Sequence, residues 1–535
     1  MTLLVKYSIQ NKLSAVTLLS TLKTAGVPVG TILESKQLVA AYDDEIRNLI
    51  NSDIKNAEIV IGKLLEKDSR KQTNLPASFT PADTSNIIEQ YIDYENSNPN
   101  YLELVATARP NKSNGLNAKL KLKAKQKHDA WTNEFFKDNQ EGVAFGVVVS
   151  IVNEQDEPLV ITQEESTTKF AYSRRWLDDN REPAEIIEAF ITLFQFIDRN
   201  GILTLPAYTH ELGIFERLAI KGRDSYPKGI SFQFKEITAF YQTLMYDRYL
   251  REDNTNLEEV MSWFFTRYLS ETYGAEGLNY TPSTQASTYL EKCRHVFAEM
   301  DSVIKQFSLF VENGELDHEL LQLTSESYPF KDIPSLLDAK YAYPTKNDDI
   351  NGILHLLFSD QSSIIYINED LKGGDLIDLL VNHEIKYDDF HAYQTPTIDE
   401  LIRLDILQNS DGVIKFENKK QIVMLRKLFK VGTVNYNQVS PEARLEIDAM
   451  VQKKWLKIES SLLTENESSL FNYYLNQREF SDGLDLRNKY LHGSQGSGED
   501  ETEHYRTYII ALELLIMLAI KIDNDFFLSN SSTSS

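Results

Sequence analysis

Three polar residues at 487, 488 and 492 have the side chains that metal-independent cleavage of RNA needs. Arg487, Asn488 and His492 lie within the sequence LRNKYLHG, which ends at Gly493. Histidine can move a proton near neutral pH, and arginine can hold two phosphoryl oxygens while it stays charged. With such groups the 2′-hydroxyl of RNA can attack the adjacent phosphorus without a metal ion. The expected product is a 2′,3′-cyclic phosphate.

The same residues are predicted to share one side of a short helix. At about 100° per residue, five side chains fall within an arc of roughly 140°: Leu484, Arg487, Asn488, Leu491 and His492. Because polar groups on a packed face need partners, we expect this face to border a cleft or a partner subunit. Gly493 is typical of a helix C-terminus, which places His492 at the negative end of the helix dipole. Asn488 lies four residues before His492 and is spaced to hydrogen-bond its ring.

Four helices over residues 433–528 are predicted to position this motif as a compact bundle. The first begins with Ser440 as its N-cap and Pro441 at its first position, and its apolar stripe continues to Leu462. Three further helices are predicted over 470–480, 484–492 and about 504–522. We expect residues 529–535, SNSSTSS, to form a disordered tail.

The stretch DGLDLRNKYLHG, followed by an acidic loop and a long apolar helix, resembles the HEPN superfamily. The signature of that family is Arg, a polar residue, a few variable residues and then His, which Arg487, Asn488 and His492 match position by position. The resemblance covers only the C-terminal bundle. It implies a homodimer in which two copies of the motif form one composite ribonuclease site without metal or cofactor. It also implies a role in anti-phage defence (abortive infection), with a phage-derived trigger.

The remainder of the chain predicts three further regions, so that the fold class is multidomain and mainly α. Residues 1–175 read as an α+β domain, a candidate sensor, with its strand signals at 101–108, 143–152 and 158–162. Residues 176–392 have the three-and-four spacing of packed helices. Residues 393–432 predict a helix, a turn, a strand and a basic helix. This small element is either winged-helix-like or a packing module.

Lysines at alternate positions form a second candidate for RNA contact. Lys119, Lys121 and Lys123 are followed by two more at 125 and 127, and a period of two would place all five on one face of a strand. Together with Lys489 they are candidate substrate-binding residues. The alternative is a solvated charged face, which is the common role of charge runs.

Composition limits the other functions. The net charge of -25 argues against a general polyanion binder, so RNA would have to bind at a local basic groove. The single cysteine, Cys293, excludes an intramolecular disulfide framework and fits a reducing compartment. The apolar stretch 508–520 is short for a membrane span and contains Glu513, so a buried helix is the better interpretation. We expect a cytoplasmic protein that contacts no membrane.

No metal site or cofactor is expected. Residues 383–391, HEIKYDDFH, carry several potential metal ligands, but their spacing matches no zinc signature. No phosphate-binding glycine loop is present. Two functions therefore stay open: an endoribonuclease, and a non-catalytic module for dimerisation or RNA binding.

Overall fold

The structure, a computed structural model, describes residues 13–67, 72–138, 145–213, 216–217, 219–323, 328–493 and 500–533. The chain divides into two compact units. The first comprises the ranges 1–144, 214–226 and 475–484, and the second comprises 145–213, 227–474 and 485–535. This division follows other boundaries than the ones predicted at 175, 392 and 432.

The described part of the first unit is built from helices. Their bounds are α1 Ala15–Thr24, α2 Val29–Leu33, α3 Lys36–Ala41, α4 Asp43–Asn51, α5 Ala57–Leu65, α6 Pro81–Asp93, α7 Pro99–Thr107 and α8 Ala118–Asp138. A capping box of Thr80 and Asp83 starts α6, with Pro81 at its first position. The core is aliphatic and includes the fully buried Ile46, Ile61 and Ile88.

Two strand predictions in this unit are wrong. Residues 101–107 belong to α7, which Asn98 caps by accepting a hydrogen bond from the backbone N–H of Asn100. The lysine-rich stretch belongs to α8, where Leu120 and Ala124 are buried four residues apart. Spacing of four is the helical period, and it outweighs the alternation of the exposed lysines because only the buried residues pack. The five lysines are consequently not on one face.

The second unit opens with a three-stranded sheet in the order β1-β3-β2. Its strands are β1 Gly146–Val152, β2 Leu159–Glu164 and β3 Thr167–Ser173. β3 pairs in parallel with β1 and antiparallel with β2. The strands predicted at 143–152 and 158–162 are confirmed over residues 146–152 and 159–162. They belong to the second unit, although the sequence suggested an N-terminal α+β domain.

The rest of the second unit is mostly helical, which confirms the mainly α fold class. Its helices are α9 Arg174–Asp179, α10 Pro183–Glu188, α11 Ile230–Arg251, α12 Leu257–Trp263, α13 Leu269–Tyr273, α14 Tyr289–Asn313, α15 His318–Leu323, α16 Asp348–Phe358, α17 Leu376–Asn382, α18 Thr395–Arg403, α19 Lys419–Val431, α20 Pro441–Gln452, α21 Glu465–Leu475, α22 Leu486–His492 and α23 Glu501–Thr533. Two π-helical turns, Ala189–Leu193 and Phe264–Tyr268, continue α10 and α12.

The predicted small element at 393–432 is part of a larger packed region. Its helices α18 and α19 flank a hairpin of β5 Leu407–Ser410 and β6 Val413–Phe416. Strand β5 occupies part of the segment predicted as a turn, and the reversal is made by Asp411 and Gly412 at positive φ. The apolar side chains of this element share one core with residues 342–367 and 443–456.

The helix predicted to run from Ser440 to Leu462 is shorter than expected. Ser440 does accept a hydrogen bond from the backbone N–H of Ala443, as a cap should, but α20 ends at Gln452. Residues 456–459 form β8, which pairs antiparallel with β4 Tyr341–Pro344, and β4 also pairs with β7 Val434–Asn435. The chain reverses at Lys454, which has a positive φ, and the strand that follows buries Leu456. Pairing with a distant strand therefore outweighs the local helical period of these residues.

The motif helix α22 does not pack in a self-contained bundle of residues 433–528. It contacts α14, and α23 contacts α11, α12 and α14, all from the region predicted as a middle domain. Helix α23 extends to Thr533, so the prediction of a disordered tail is wrong for residues 529–533, and residues 534–535 lie outside the described part of the chain. Among the described residues, no helix has both the length and the apolar character to cross a bilayer.

Two buried ion pairs connect α23 to its surroundings. Lys521 Nζ lies 3.0 Å from Glu467 Oε1 and also donates to the hydroxyl of Tyr341. Lys340 Nζ lies 2.5 Å from Asp525 Oδ1. All four charged side chains are fully buried. Burial lowers the pKa of Lys521 to about 8, and Glu467 opposes that shift.

Removing one partner of such a pair should be costly. Lys521→Met leaves the carboxylate of Glu467 buried without its cation, and we expect the free energy of unfolding of the second unit to fall by about 3–5 kcal/mol. The double variant Lys521→Met, Glu467→Gln should recover part of that loss because no uncompensated charge remains. Denaturant unfolding followed by circular dichroism measures both. A single variant as stable as the unsubstituted protein would contradict the prediction.

Candidate active site

The motif lies on α22, a short helix with unusual residues at both ends. Asp485 precedes it at a φ of +58°, and its carboxylate accepts a hydrogen bond of 2.7 Å from the side-chain amide of Asn488. The helix stops at His492 because Gly493 adopts a φ of +69°, as the sequence predicts for a C-terminal glycine. The backbone N–H of Gly493 donates to the carbonyl of Lys489. Local sequence therefore determines where this helix begins and ends.

Arg487 is held by an aspartate of the same chain. Its Nε lies 2.9 and 2.8 Å from the two carboxylate oxygens of Asp301 on α14, and its Nη2 lies 2.5 Å from Oδ2. Both side chains are about one-fifth exposed, at 22% and 21%. This bidentate pair has the fork geometry in which arginine binds carboxylates most firmly. Asp301 of the same chain is therefore a partner for the polar face of α22.

The Nη1 edge of the Arg487 guanidinium has few contacts among the described residues. An arginine has five N–H donors, and Asp301 occupies those of Nε and one on Nη2. The only described contact of Nη1 is a long one, 3.4 Å, to the side-chain oxygen of Asn488. Arg487 is thus oriented along one edge while its Nη1 edge keeps donors for another ligand.

His492 is exposed at the C-terminal end of α22. Its ring makes no hydrogen bond with any residue that the structure describes. The amide of Asn488 donates to Asp485 instead of binding the imidazole, so the expected Asn488–His492 hydrogen bond is not formed. The structure thus leaves the histidine accessible and gives Asn488 the task of supporting the start of the helix and Arg487.

A buried hydrogen bond between Tyr490 and His504 attaches α22 to α23. The hydroxyl of Tyr490 lies 2.8 Å from Nδ1 of His504, the residue that begins the apolar part of α23. Tyr490 also packs against Phe297 of α14, with ring centroids 5.9 Å apart. The thiol of Cys293 donates to the backbone carbonyl of His504. These contacts determine which side of α22 faces the protein.

Reasoning from the sequence missed Asp301, the most informative of these partners. Asp301 lies 186 positions before Arg487, in a helix whose neighbouring residues pack as ordinary core. An acid between the buried Met300 and Val303 is the one cue that could have indicated it, since a charge on a packed stripe needs a partner. Asp485 and Tyr490 lie within the motif region, but their roles depend on a left-handed backbone and on a contact with another helix.

The four candidate lysines lie in different units. Lys489 shares α22 with the motif, whereas the other three lie on α8 of the first unit. Lys123 forms an ion pair of 2.7 Å with Asp93, and burial, with nearby Arg109, lowers the pKa of Lys121. Lys119 is exposed. Of these three side chains, Lys119 is the one most available to a ligand.

The weak metal candidate at 383–391 has other roles. The ring Nε2 of His391 lies 2.8 Å from the carbonyl of Ile367, and the carboxylate of Asp389 accepts from the backbone N–H of Lys386. Within the described ranges no group of three or more histidine, cysteine, aspartate or glutamate side chains is placed to hold a metal ion.

Comparison with known proteins adds no relative to this picture. No protein-family model matches the chain, and neither a curated protein nor a solved structure matches it.

The contact between Arg487 and Asp301 can be measured directly. Asp301→Asn and Arg487→Gln should each lower the free energy of unfolding by about 1–3 kcal/mol, since each leaves a charged partner without its counter-ion. The double variant should lose less than the sum of the two, with a coupling of about 0.5–3 kcal/mol. Arg294→Gln, an exposed charge on the same helix α14, is the matched control and should change stability little. Strict additivity would show that the pair does not hold α22.

Proposed function

We propose that the chain is a metal-independent endoribonuclease of HEPN type that acts in the cytoplasm as an anti-phage effector. The observation that carries the proposal is the arrangement on α22. Arg487 is oriented by Asp301 but keeps the donors of Nη1, and His492 is exposed and unbound among the described residues at the end of the same helix. A cation with a fixed direction and an accessible imidazole are the two groups that the chemistry requires.

In the proposed reaction the 2′-oxygen of a ribose forms a bond to the adjacent phosphorus while the bond from phosphorus to the 5′-oxygen breaks. One imidazole takes the proton of the 2′-hydroxyl, and a second gives a proton to the departing 5′-oxygen. Arg487 stabilises the charge on the non-bridging oxygens. The products are a 2′,3′-cyclic phosphate and a 5′-hydroxyl, and neither water nor a metal ion is consumed.

One copy of α22 supplies a single histidine, which is why the proposal includes a homodimer. A two-fold axis would place two copies of the same surface against each other, and each protomer would contribute one His492. The exposure of His492 is compatible with such a contact. The helices and sheets outside the motif would then serve to sense a phage-derived trigger and to control access to the RNA.

A second candidate is favoured by one observation, the pairing of Arg487 with Asp301. The pair cancels the charge of the guanidinium, and a phosphate would have to compete with a carboxylate that already has good geometry. In a chain of net charge -25 this suits a non-catalytic module for dimerisation or RNA binding. Asp301 is then purely structural, and His492 has no role in cleavage.

Cleavage during phage infection distinguishes the two. Cells expressing the protein, or its His492→Ala variant, are challenged with a panel of phages, and RNA with new 5′-hydroxyl ends is mapped. Purified protein with total RNA from those cells in EDTA provides the second assay. We expect the unsubstituted protein to cut in both, and the loss of His492 to lower the rate at least about a hundredfold.

The matched control is His383→Ala, a partly exposed histidine outside the motif, which should cleave like the unsubstituted protein. Arg487→Ala should also be inactive, with stability measured in parallel because Arg487 contacts Asp301. Equal numbers of 5′-hydroxyl ends with and without His492 would reject the ribonuclease. Retained dimerisation and RNA binding with no cleavage by any variant would establish the second candidate.

A further inference from the structure

A cavity of about 430 Å³ lies in the second unit between α11 and α23, away from the motif residues of α22. Its walls include the acids Glu236 and Glu513, the aromatic residue Phe240 and the bases Arg248 and Arg506. Cavities of this size hold small molecules in many proteins. The distribution of charge along it indicates what kind of molecule it would take.

Glu513 is an acid without a described hydrogen-bond partner. It interrupts the apolar stretch of α23, its side chain is only 2% exposed, and its carboxyl group lines the cavity. None of the residues that the structure describes donates a hydrogen bond to it. Burial raises its pKa well above the ordinary value, and the nearby Glu236 adds to that shift. A buried polar group left without a partner is costly, so its place in the cavity calls for an explanation.

A second acid lies at the same end of the cavity. The carboxylate of Glu236 accepts a hydrogen bond of 2.8 Å from the hydroxyl of Tyr474 on α21. Burial raises the pKa of Glu236, whereas Tyr474, Lys228 and Arg506 lower it. Two carboxyl groups in a dry site favour a positive charge between them, because it removes their mutual repulsion.

Two arginines line the cavity further along the same two helices. The guanidinium of Arg248 lies 5.7 Å from the ring centre of Tyr505 and donates to its hydroxyl, and Arg506 lies 5.8 Å from the ring centre of Phe240. At 1.5 Å per residue, Arg506 is roughly 10 Å from Glu513 along α23, and Arg248 roughly 18 Å from Glu236 along α11. The cavity therefore has Arg506 beside Phe240, about one turn of α11 from Glu236 and close enough to lower its pKa, and Arg248 further along the same helix.

We propose that this cavity binds a small dipolar molecule whose ammonium or guanidinium group lies between Glu513 and Glu236 and whose carboxylate or phosphate faces Arg506. The cation takes the place of the proton on Glu513, and the aromatic walls favour a cationic or flat organic group. Arg506 and Arg248 repel a molecule that is positive at both ends, so such a molecule should bind less tightly. This site is independent of the ribonuclease proposal and uses none of its residues.

The test is calorimetric titration of the full chain with three probes. They are L-arginine, agmatine, which has two cationic groups and no carboxylate, and L-leucine, whose ammonium and carboxylate share one carbon and are too close together to reach both Glu513 and Arg506. L-arginine should bind most tightly, agmatine at least about tenfold more weakly, and L-leucine not at all at about 10 mM. Because the cation replaces the proton of Glu513, whose pKa burial raises, the affinity for L-arginine should rise as the pH rises. Lys228, Tyr474 and Arg506 are the other charged or titratable groups that face the two acids, and because burial also raises the pKa of Glu236, its ionisation acts in the same direction.

Two variants locate the charges. Glu513→Gln keeps the size of a neutral acid and cannot ionise, so it should weaken L-arginine at least tenfold and remove the pH dependence. Arg506→Gln should weaken L-arginine and strengthen agmatine, since it removes the positive charge that binds the carboxylate of L-arginine and repels the second cation of agmatine.

Three results would overturn the proposal. They are no binding of L-arginine or agmatine, equal affinity of L-arginine for Glu513→Gln, and failure of Glu513→Gln to fold. The last would mean that Glu513 has a structural role that glutamine cannot fill. Because no RNA is used, these outcomes do not depend on whether the chain is a ribonuclease.

Discussion

The burial of α23 is the constraint on which the second unit depends. This helix carries Lys521 and Asp525 into the interior, where each would be very costly alone, and each is paired with a charge from another segment. Glu467 and Lys340 therefore fix the position of α23 relative to α21 and β4. Apolar packing alone would leave the helix free to rotate or slide, because many apolar faces are nearly equivalent. The ion pairs favour a single arrangement.

The geometry of the motif follows from that arrangement. The hydroxyl of Tyr490 forms a hydrogen bond with His504 on α23, and this contact sets the rotation of α22. The rotation places Arg487 next to Asp301. With the guanidinium so engaged, the exposed imidazole of His492 is left on the surface. The site is thus built from two short local elements and two distant contacts, and it is the distant contacts that orient the groups.

The same helix shows what happens to a buried charge without a counter-ion. Lys521 and Asp525 have partners, whereas Glu513 borders a cavity and burial raises its pKa. Natural proteins retain such groups only where something offsets their cost. Paired and unpaired charges thus occur on the same helix, and the unpaired one, Glu513, lines a cavity. None of the motif residues of α22 lines that cavity.

The sequence by itself determined the local features. Capping by Ser440 and Gly493, the mainly helical fold class and the strands at 146–152 and 159–164 follow from residue type and short-range period, which act within a few positions. Only the tertiary structure decided the rest. The alternating lysines lie in a helix because Leu120 and Ala124 are the residues that pack. Residues 456–459 pair with β4 and do not continue the predicted helix, and Arg487 binds an aspartate 186 positions away. Each depends on which distant segment is adjacent in space, and local propensity carries no information about that.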